Sequence, residues 1–310
     1  MTSTSSFNHR SAADEVLQGR NLSGQVIIVT GANTGIGYET ARSLAVAGAS
    51  VIGTCRTAEK ATATRQRLLQ AHPGIDVETA VMDLASLASV SDFCQQLPHD
   101  KIDTVICNAG VVAPAYGETR DGFEQTVGVC HVGHFLLVNS LLPRLLSAGE
   151  PRVVMVSSES HRAPPRLNFD KLPYPEASYS PMKAYGQAKL CNALMAVELH
   201  RRYADMGLTA CYLHPGTMVT TDIGRDSALI RFAMFLVRPF TKTASQGAAT
   251  SVFCATWDDR EALGGHYFSH CARARPSAET ANTEVAARLW DVSEGWLQDR
   301  GYSVNVAARP

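Results

Sequence analysis

Short runs of Val, Ile and their apolar neighbours recur along the chain at 26–29, 51–52, 77–81, 104–107, 153–156 and 209–213. Each is too short for a helix and too continuous for a strand with one wet face, which is the pattern of a strand buried on both sides. Helix-length segments fill the intervals, at 36–47, 58–71, 87–97, 123–146 and 182–203. Strand and helix in alternation predict an α/β protein with a doubly wound parallel sheet and right-handed crossovers. Two stretches break the alternation. One, over 159–181, carries Pro164, Pro165, Pro173, Pro175 and Pro181; the other, over 221–243, carries the apolar side chains Leu229, Ile230, Phe232, Met234, Phe235 and Leu236. We expect both to be loops laid over the carboxyl edge of the sheet, where ligands bind in such folds.

Composition narrows the organisation. A chain of 310 residues with 45% hydrophobic content can bury one large core. The expected layout is a polar tail and leader over 1–24, a single α/β domain over 25–272 and a helical C-terminal extension over 273–310. Net charge is −1, from 28 basic and 29 acidic residues, so no long-range field draws nucleic acid or an anionic membrane. A small molecule is the expected partner. The eight cysteines include no C-x-x-C pair, which favours a reducing, cytoplasmic setting and argues against zinc. Residues 1–11 lack the apolar core of a secretory signal, and no apolar run is long enough to predict a membrane span. Peripheral membrane contact stays open, because the apolar lobe could pack on the core, bind a lipophilic ligand or touch a bilayer.

Candidate chemistry begins at the end of the first strand. Thr30-Gly31-Ala32-Asn33-Thr34-Gly35-Ile36-Gly37 runs from that strand into the first long helix. Gly31 can make the tight turn, Gly35 lets backbone approach a pyrophosphate, and Gly37 permits close helix packing. The helix N-terminus offers its amides to phosphate, although an ordinary glycine-rich turn is the plain alternative. Asn33, Thr34 and Ile36 belong to the same candidate cofactor loop. An acid ending the second strand would bind the ribose 2′-hydroxyl of NAD(H); this chain has Gly53-Thr54-Cys55-Arg56 instead. Arg56 can fork onto a 2′-phosphate, so NADP(H) is favoured over NAD(H), the alternative being a merely solvated arginine.

Tyr185 and Lys189 lie four residues apart, hence on one helix face. Tyr179 and Lys183 share that spacing, but Pro181 between them suits the first turn of the helix and leaves Tyr179 outside it. Tyr185 is therefore the better candidate acid. A phenol exchanges protons poorly near neutral pH, and an adjacent ammonium favours the phenolate; Lys189 supplies that charge. Ser157-Ser158, at the end of the fifth strand, brings to the same edge a hydroxyl able to hydrogen-bond a substrate oxygen.

These runs, together with Asn108-Ala109-Gly110 after the fourth strand, V-S-S at 156–158 and His214-Pro215-Gly216-Thr217, resemble the short-chain dehydrogenase/reductase superfamily. Within it the chain is similar to the retinol-dehydrogenase-like branch, especially to oxidoreductase domains of the WW-domain-containing kind. The runs S-S-E-S-H-R, K-L-C-N, E-L-H-R-R and R-P-F-T-K with Q-G-A-A-T carry that likeness; Trp257, Trp290 and Trp296 all lie near the C-terminus, so no WW module is expected. The resemblance implies a Rossmann-type three-layer αβα sandwich that interconverts a lipophilic alcohol and its aldehyde or ketone, here as a carbonyl reductase. It implies that Ser158 orients the carbonyl, Tyr185 exchanges the proton, and Lys189 assists Tyr185 and binds the nicotinamide ribose. It places Asp83 and Leu84 at the adenine, with a helix cap as the alternative for Asp83, and Asn108, Ala109 and Gly110 beside the adenosine. Pro215, Gly216, Thr217, Met218 and Thr220 fall at the nicotinamide and phosphate end.

Two positions depart from the family pattern. Cys130 stands where the family has an Asn that helps hold a water in a proton relay to the Lys, which puts the relay in question unless it runs through the backbone carbonyl. Ala188 stands where Ser is common and bears on packing. His131 and His134 lack the companions of a metal site and read as core or interface residues. A homo-oligomer built on the helices at 123–146 and 182–203 is the family's habit. The alternatives are an NADP(H)-binding regulatory module with little catalysis, or a biosynthetic tailoring ketoreductase.

Overall fold

In the computed structural model, which describes residues 6–216 and 242–303, the strands of the described residues form one eight-stranded sheet. Six strands match the apolar runs: β1 (Val26–Thr30), β2 (Ser50–Cys55), β3 (Val77–Val81), β4 (Thr104–Cys107), β5 (Arg152–Val156) and β6 (Thr209–His214). A short β7 (Tyr267–Ser269) extends the sheet, and β8 (Ala272–Arg273) turns back on it as the antiparallel edge. The order is β3-β2-β1-β4-β5-β6-β7-β8, parallel except for that last pair. Strand order reverses between β1 and β4, so the crevice where such sheets bind ligands opens above those two strands.

Alternate strand residues feed two layers, as a sheet buried on both faces requires. Ile28, Ile52, Val105, Val153 and Ala210 face one layer, which holds α4 (Leu87–Gln96), α5 (Gln125–Leu146) and α6 (Pro181–Tyr203). Ile27, Val51, Ile106, Val154 and Cys211 face the other, against α2 (Gly35–Val46) and α7 (Ala244–Thr256). Two short helices, α1 (Ala13–Val16) and α8 (Arg260–Leu263), close the periphery, and α3 (Ala58–Ala71) joins β2 to β3. Pro181 does occupy the first turn of α6, leaving Tyr179 outside it. α5 is long and apolar enough to cross a membrane but is largely buried inside the fold. It is regular helix except at Gly128–Val132, where a π-type turn inserts one extra residue.

The C-terminal α9 (Thr283–Gln298) alters one expectation. Its Ala286 and Leu289 pack with Leu190 and Leu194 of α6, and its Trp290, 2% exposed, lies 4.8 Å from the Phe135 ring of α5 and 6.5 Å from that of Tyr203. Near the end of α6 the fully buried Glu198 accepts hydrogen bonds from Arg201 and Arg202, and Arg202 stacks 4.7 Å from Trp290. The helices expected to meet a second subunit are thus covered by the chain's own α9.

Candidate active site

The glycine loop is shaped by backbone that tolerates no side chain. Gly31 has φ +69°, and a Cβ there would lie 3.0 Å from the Ala109 Cβ. At Gly37 a Cβ would collide with the Gly31 carbonyl and the Asn108 amide. Thr34 precedes α2 in extended conformation, and its side chain makes no cap bond to that helix, which suits amides meant for an external anion. Ile36 packs on the core, and the Asn33 carbonyl accepts a bond from Arg67. Arg56 is exposed, directly after the last residue of β2.

Thr30 is the knot of this region. Its Oγ1 accepts the Asn108 and Ala109 amides, each at 2.9 Å, and its carbonyl accepts the Asn108 side chain at 2.8 Å. The same Oγ1 lies 2.9 Å from Nε2 of His134, whose Nδ1 lies 3.0 Å from the Cys130 carbonyl. A carbonyl only accepts, so Nδ1 carries the proton and Nε2 accepts from Thr30. His134 is therefore a neutral, fully buried strut between the cofactor loops and the π turn of α5.

Lys189 is 3% exposed; its Nζ donates to the Val156 carbonyl at 2.8 Å and sits 5.6 Å from the centre of the Tyr185 ring. Below it lie Gly110 and Cys130: a Cβ on Gly110 would come within 3.1 Å of Nζ and 3.4 Å of the Cys130 thiol. Ser157 and Ser158 divide the labour. Ser157 is buried and staples β5 to α6 by donating to the Lys189 carbonyl at 2.7 Å. Half-buried Ser158 caps the following turn, accepting from the Ser160 amide at 3.2 Å. That turn presses on α6 at Gly186, where a Cβ would meet the Ser160 carbonyl at 2.9 Å, bringing the Ser158 loop against the turn that bears half-buried Tyr185.

The remaining candidate positions have the following surroundings. Asp83 is not a helix cap: its carboxylate accepts from the Ala85 amide at 3.0 Å, and Ser86 caps α4 instead. Leu84 is a core residue, and Ala188 packs among Val127, Cys130 and Leu190. Pro215 and Gly216 follow β6, with Gly216 at φ +117° beneath the Lys242 side chain. Thr217, Met218 and Thr220, and the lobe over 221–241, lie outside the described residues. The Cys130 thiol is buried and lies 3.4 Å from the Val111 amide and 3.6 Å from its carbonyl. Its backbone carbonyl, the fallback for a relay, already takes the His134 proton.

His161 is a residue that pattern reading missed. Fully buried, it donates from Nδ1 to the Ser158 carbonyl at 2.6 Å and accepts the Ser277 amide on Nε2 at 3.3 Å. Arg162 bonds the Arg275 carbonyl, and Glu279 accepts the Leu167 amide at 3.0 Å. The C-terminal extension thus clamps the loop that carries Ser158. A polar cleft of about 680 Å³ between Arg20, Lys101, Arg152 and Asp258 lies at the opposite, amino edge of the sheet and includes none of the candidate residues.

The buried histidines make stability depend on pH. Burial lowers His134 to about 4, with Lys189 adding to the effect, and burial lowers His131, whose Nε2 meets Ser293 at 2.8 Å, to about 3. An unfolded histidine takes its proton near ~6.5, so between there and pH 4 the unfolded chain binds more protons and folding weakens as pH falls. The slope is roughly 1.4 kcal/mol per pH unit for each ring. Thermal melts from pH 7 to pH 4 should therefore show a steep fall in Tm below pH 6; a flat profile would contradict two neutral buried rings.

With glycine loop, Tyr-Lys turn and Ser158 loop converging on the carboxyl edge of a Rossmann sheet, the chain belongs to the short-chain dehydrogenase/reductase superfamily, in its retinol-dehydrogenase-like branch. Residues 25–169 match the short chain dehydrogenase family. The chain is 43% identical over 302 residues to the WW domain-containing oxidoreductase of Danio rerio, covering 95% of this chain and 73% of that protein. It is 41% identical over 274 residues to retinol dehydrogenase 11 of Homo sapiens, covering 88% and 85%. A solved structure from Mycobacterium paratuberculosis is similar with a TM-score of 0.75 and 33% identity, over 93% of this chain and 97% of that one.

Proposed function

We propose that this oxidoreductase uses NADP(H) to interconvert a lipophilic alcohol and its aldehyde or ketone, acting as a carbonyl reductase with Tyr185 as general acid and base. One observation carries the reading: Lys189 is fixed by the Val156 carbonyl one helical turn from Tyr185, and the Ser158 loop is pressed onto the same turn at Gly186. The residues present fit a dinucleotide, since Gly31 and Gly37 have no room for side chains, Gly35 stands at φ +57° where side chains are disfavoured, and the Thr34 side chain does not cap the helix behind them. Gly31, Asn33, Thr34, Gly35, Ile36 and Gly37 would hold its pyrophosphate, Arg56 its 2′-phosphate, Asn108 to Gly110 its adenosine side, and Lys189 its nicotinamide ribose. When bound, the nicotinamide supplies or accepts the hydride at the substrate carbon.

The chain's own groups manage the proton. The Ser158 hydroxyl donates to the substrate oxygen and orients it, and the Tyr185 hydroxyl gives up its proton to that oxygen in reduction and recovers it in oxidation. The Lys189 ammonium stabilises the phenolate left behind. A lipophilic substrate is supported by the rings of Tyr116 and Tyr174, which pack edge-on against Tyr179 just ahead of α6, and by the kinship with a retinol dehydrogenase. A homo-oligomer is the expected state, formed through surface that α9 leaves open; light scattering that gives a single 33.3 kDa species would overturn it.

A second reading, an NADP(H)-binding regulatory module, is favoured by a single feature: Cys130 replaces the relay Asn, and its carbonyl is engaged by His134. Consumption of NADPH and NADH against a panel of hydrophobic aldehydes and ketones separates the two. Turnover with NADPH is expected; NADPH binding without turnover of any compound would establish the regulatory module.

A further inference from the structure

A ribose 2′-phosphate carries close to two negative charges at neutral pH, and one exposed arginine on a flexible stem holds such a group weakly. Arg56 is that exposed arginine, at the end of β2. The helix that follows β2 carries a second guanidinium that the sequence did not single out. Arg67, on α3, lies with its guanidinium carbon 3.6 Å from the centre of the Tyr38 ring, and its Nη2 donates to the Asn33 carbonyl at 2.9 Å. Tyr38 belongs to the first turn of α2 and Asn33 to the glycine loop. One turn earlier on α3, the Thr64 hydroxyl accepts from the Cys55 thiol, which ends β2, at 3.8 Å. Arg67 is thus held at the seam of the β2 end, the glycine loop and α2, the corner from which Arg56 projects.

Its charge is also unspent. Among the described residues Arg42 pairs with Asp14 and Glu39, and Arg20 with Asp258, whereas no carboxylate pairs with Arg56 or Arg67. The neighbouring acid, Glu59, is folded back on Thr57 and on its own amide. Stacking on Tyr38 and the bond to Asn33 fix the plane of Arg67 while using one of its five N–H donors, so a bidentate anion contact would cost little further ordering.

We propose that Arg67 is the second guanidinium of a 2′-phosphate clamp and, with Arg56, sets the preference for NADP(H) over NAD(H). The inference rests on the NADP(H) reading above and names a specificity-determining residue within it. The structural alternative is that Arg67 only pins the glycine loop, and this is separable because NADPH and NADH differ only in the 2′-phosphate.

The test is a fluorescence titration of full-length wild type, Arg56→Gln, Arg67→Gln and the double variant with NADPH and with NADH. Wild type should bind NADPH more tightly. Each single variant should lose on the order of tenfold in NADPH affinity, the scale of one charge-assisted contact, while NADH affinity stays within about twofold. The double variant should bind both cofactors alike. Equal weakening of NADPH and NADH by Arg67→Gln would reduce the residue to a loop pin and overturn the proposal. So would unchanged NADPH affinity in Arg67→Gln alongside a loss in Arg56→Gln, which leaves the NADP(H) reading standing. Equal affinities in wild type would overturn that reading and this one together.

Discussion

Tyr185→Phe is expected to lower kcat roughly 1000-fold while leaving NADPH affinity within about twofold and Tm unchanged. The substitution removes one oxygen and keeps the ring. Tyr185 is half-buried on a helix whose neighbouring residues, Gly186 to Leu190, are all buried, so the phenyl ring is held where the phenol was. What disappears is the proton exchanged with the substrate oxygen, and positioned acid–base groups contribute ~10²- to 10⁴-fold. Steady-state kinetics with calorimetry on the same sample checks this. Activity within tenfold of wild type would remove Tyr185 from the chemistry.

Lys189→Met carries an effect of similar size by a different route. Met keeps the length of the stem in a site only 3% exposed but removes both the charge and the donor to the Val156 carbonyl. We expect kcat to fall roughly 100- to 1000-fold and NADPH affinity to weaken, because the phenolate loses its counter-charge and the ribose its donor. Stability should change little. An unpaired Val156 carbonyl costs roughly 1–3 kcal/mol, offset by no longer burying an ammonium. A variant with wild-type kcat, or one that loses activity only because it unfolds, would show that Lys189 is a packing residue.

The alternation of six apolar runs with five helices was readable because strands buried on both faces leave an unmistakable pattern, and the sheet is doubly wound and mostly parallel, as that pattern predicts. β7 and β8 were not, being three and two residues long, below the length at which periodicity registers. The glycine loop and the Tyr-Lys turn were legible because their geometry is local. Residues that act across the fold were not. The Thr30 hydroxyl serves residues 78 and 79 positions away, and His161 meets Ser277 at a separation of 116. Spacing placed His131 and His134 together on a helix but could not show that one ties α5 to α9 while the other ties it to the cofactor loops. For Asp83, the choice between an adenine contact and a helix cap was open in the sequence; the nearby Ser86 takes the cap. Arg67 went unnoticed for the same reason, since its partners Asn33 and Tyr38 lie on other elements.

The most direct test of hydride transfer on this fold is to run the reduction with NADPH carrying deuterium at both C4 positions of the nicotinamide and weigh the product. An alcohol carrying a single deuterium at the former carbonyl carbon is expected, formed by wild type and lost in Tyr185→Phe. Tight NADPH binding with no labelled alcohol from any carbonyl compound would contradict it.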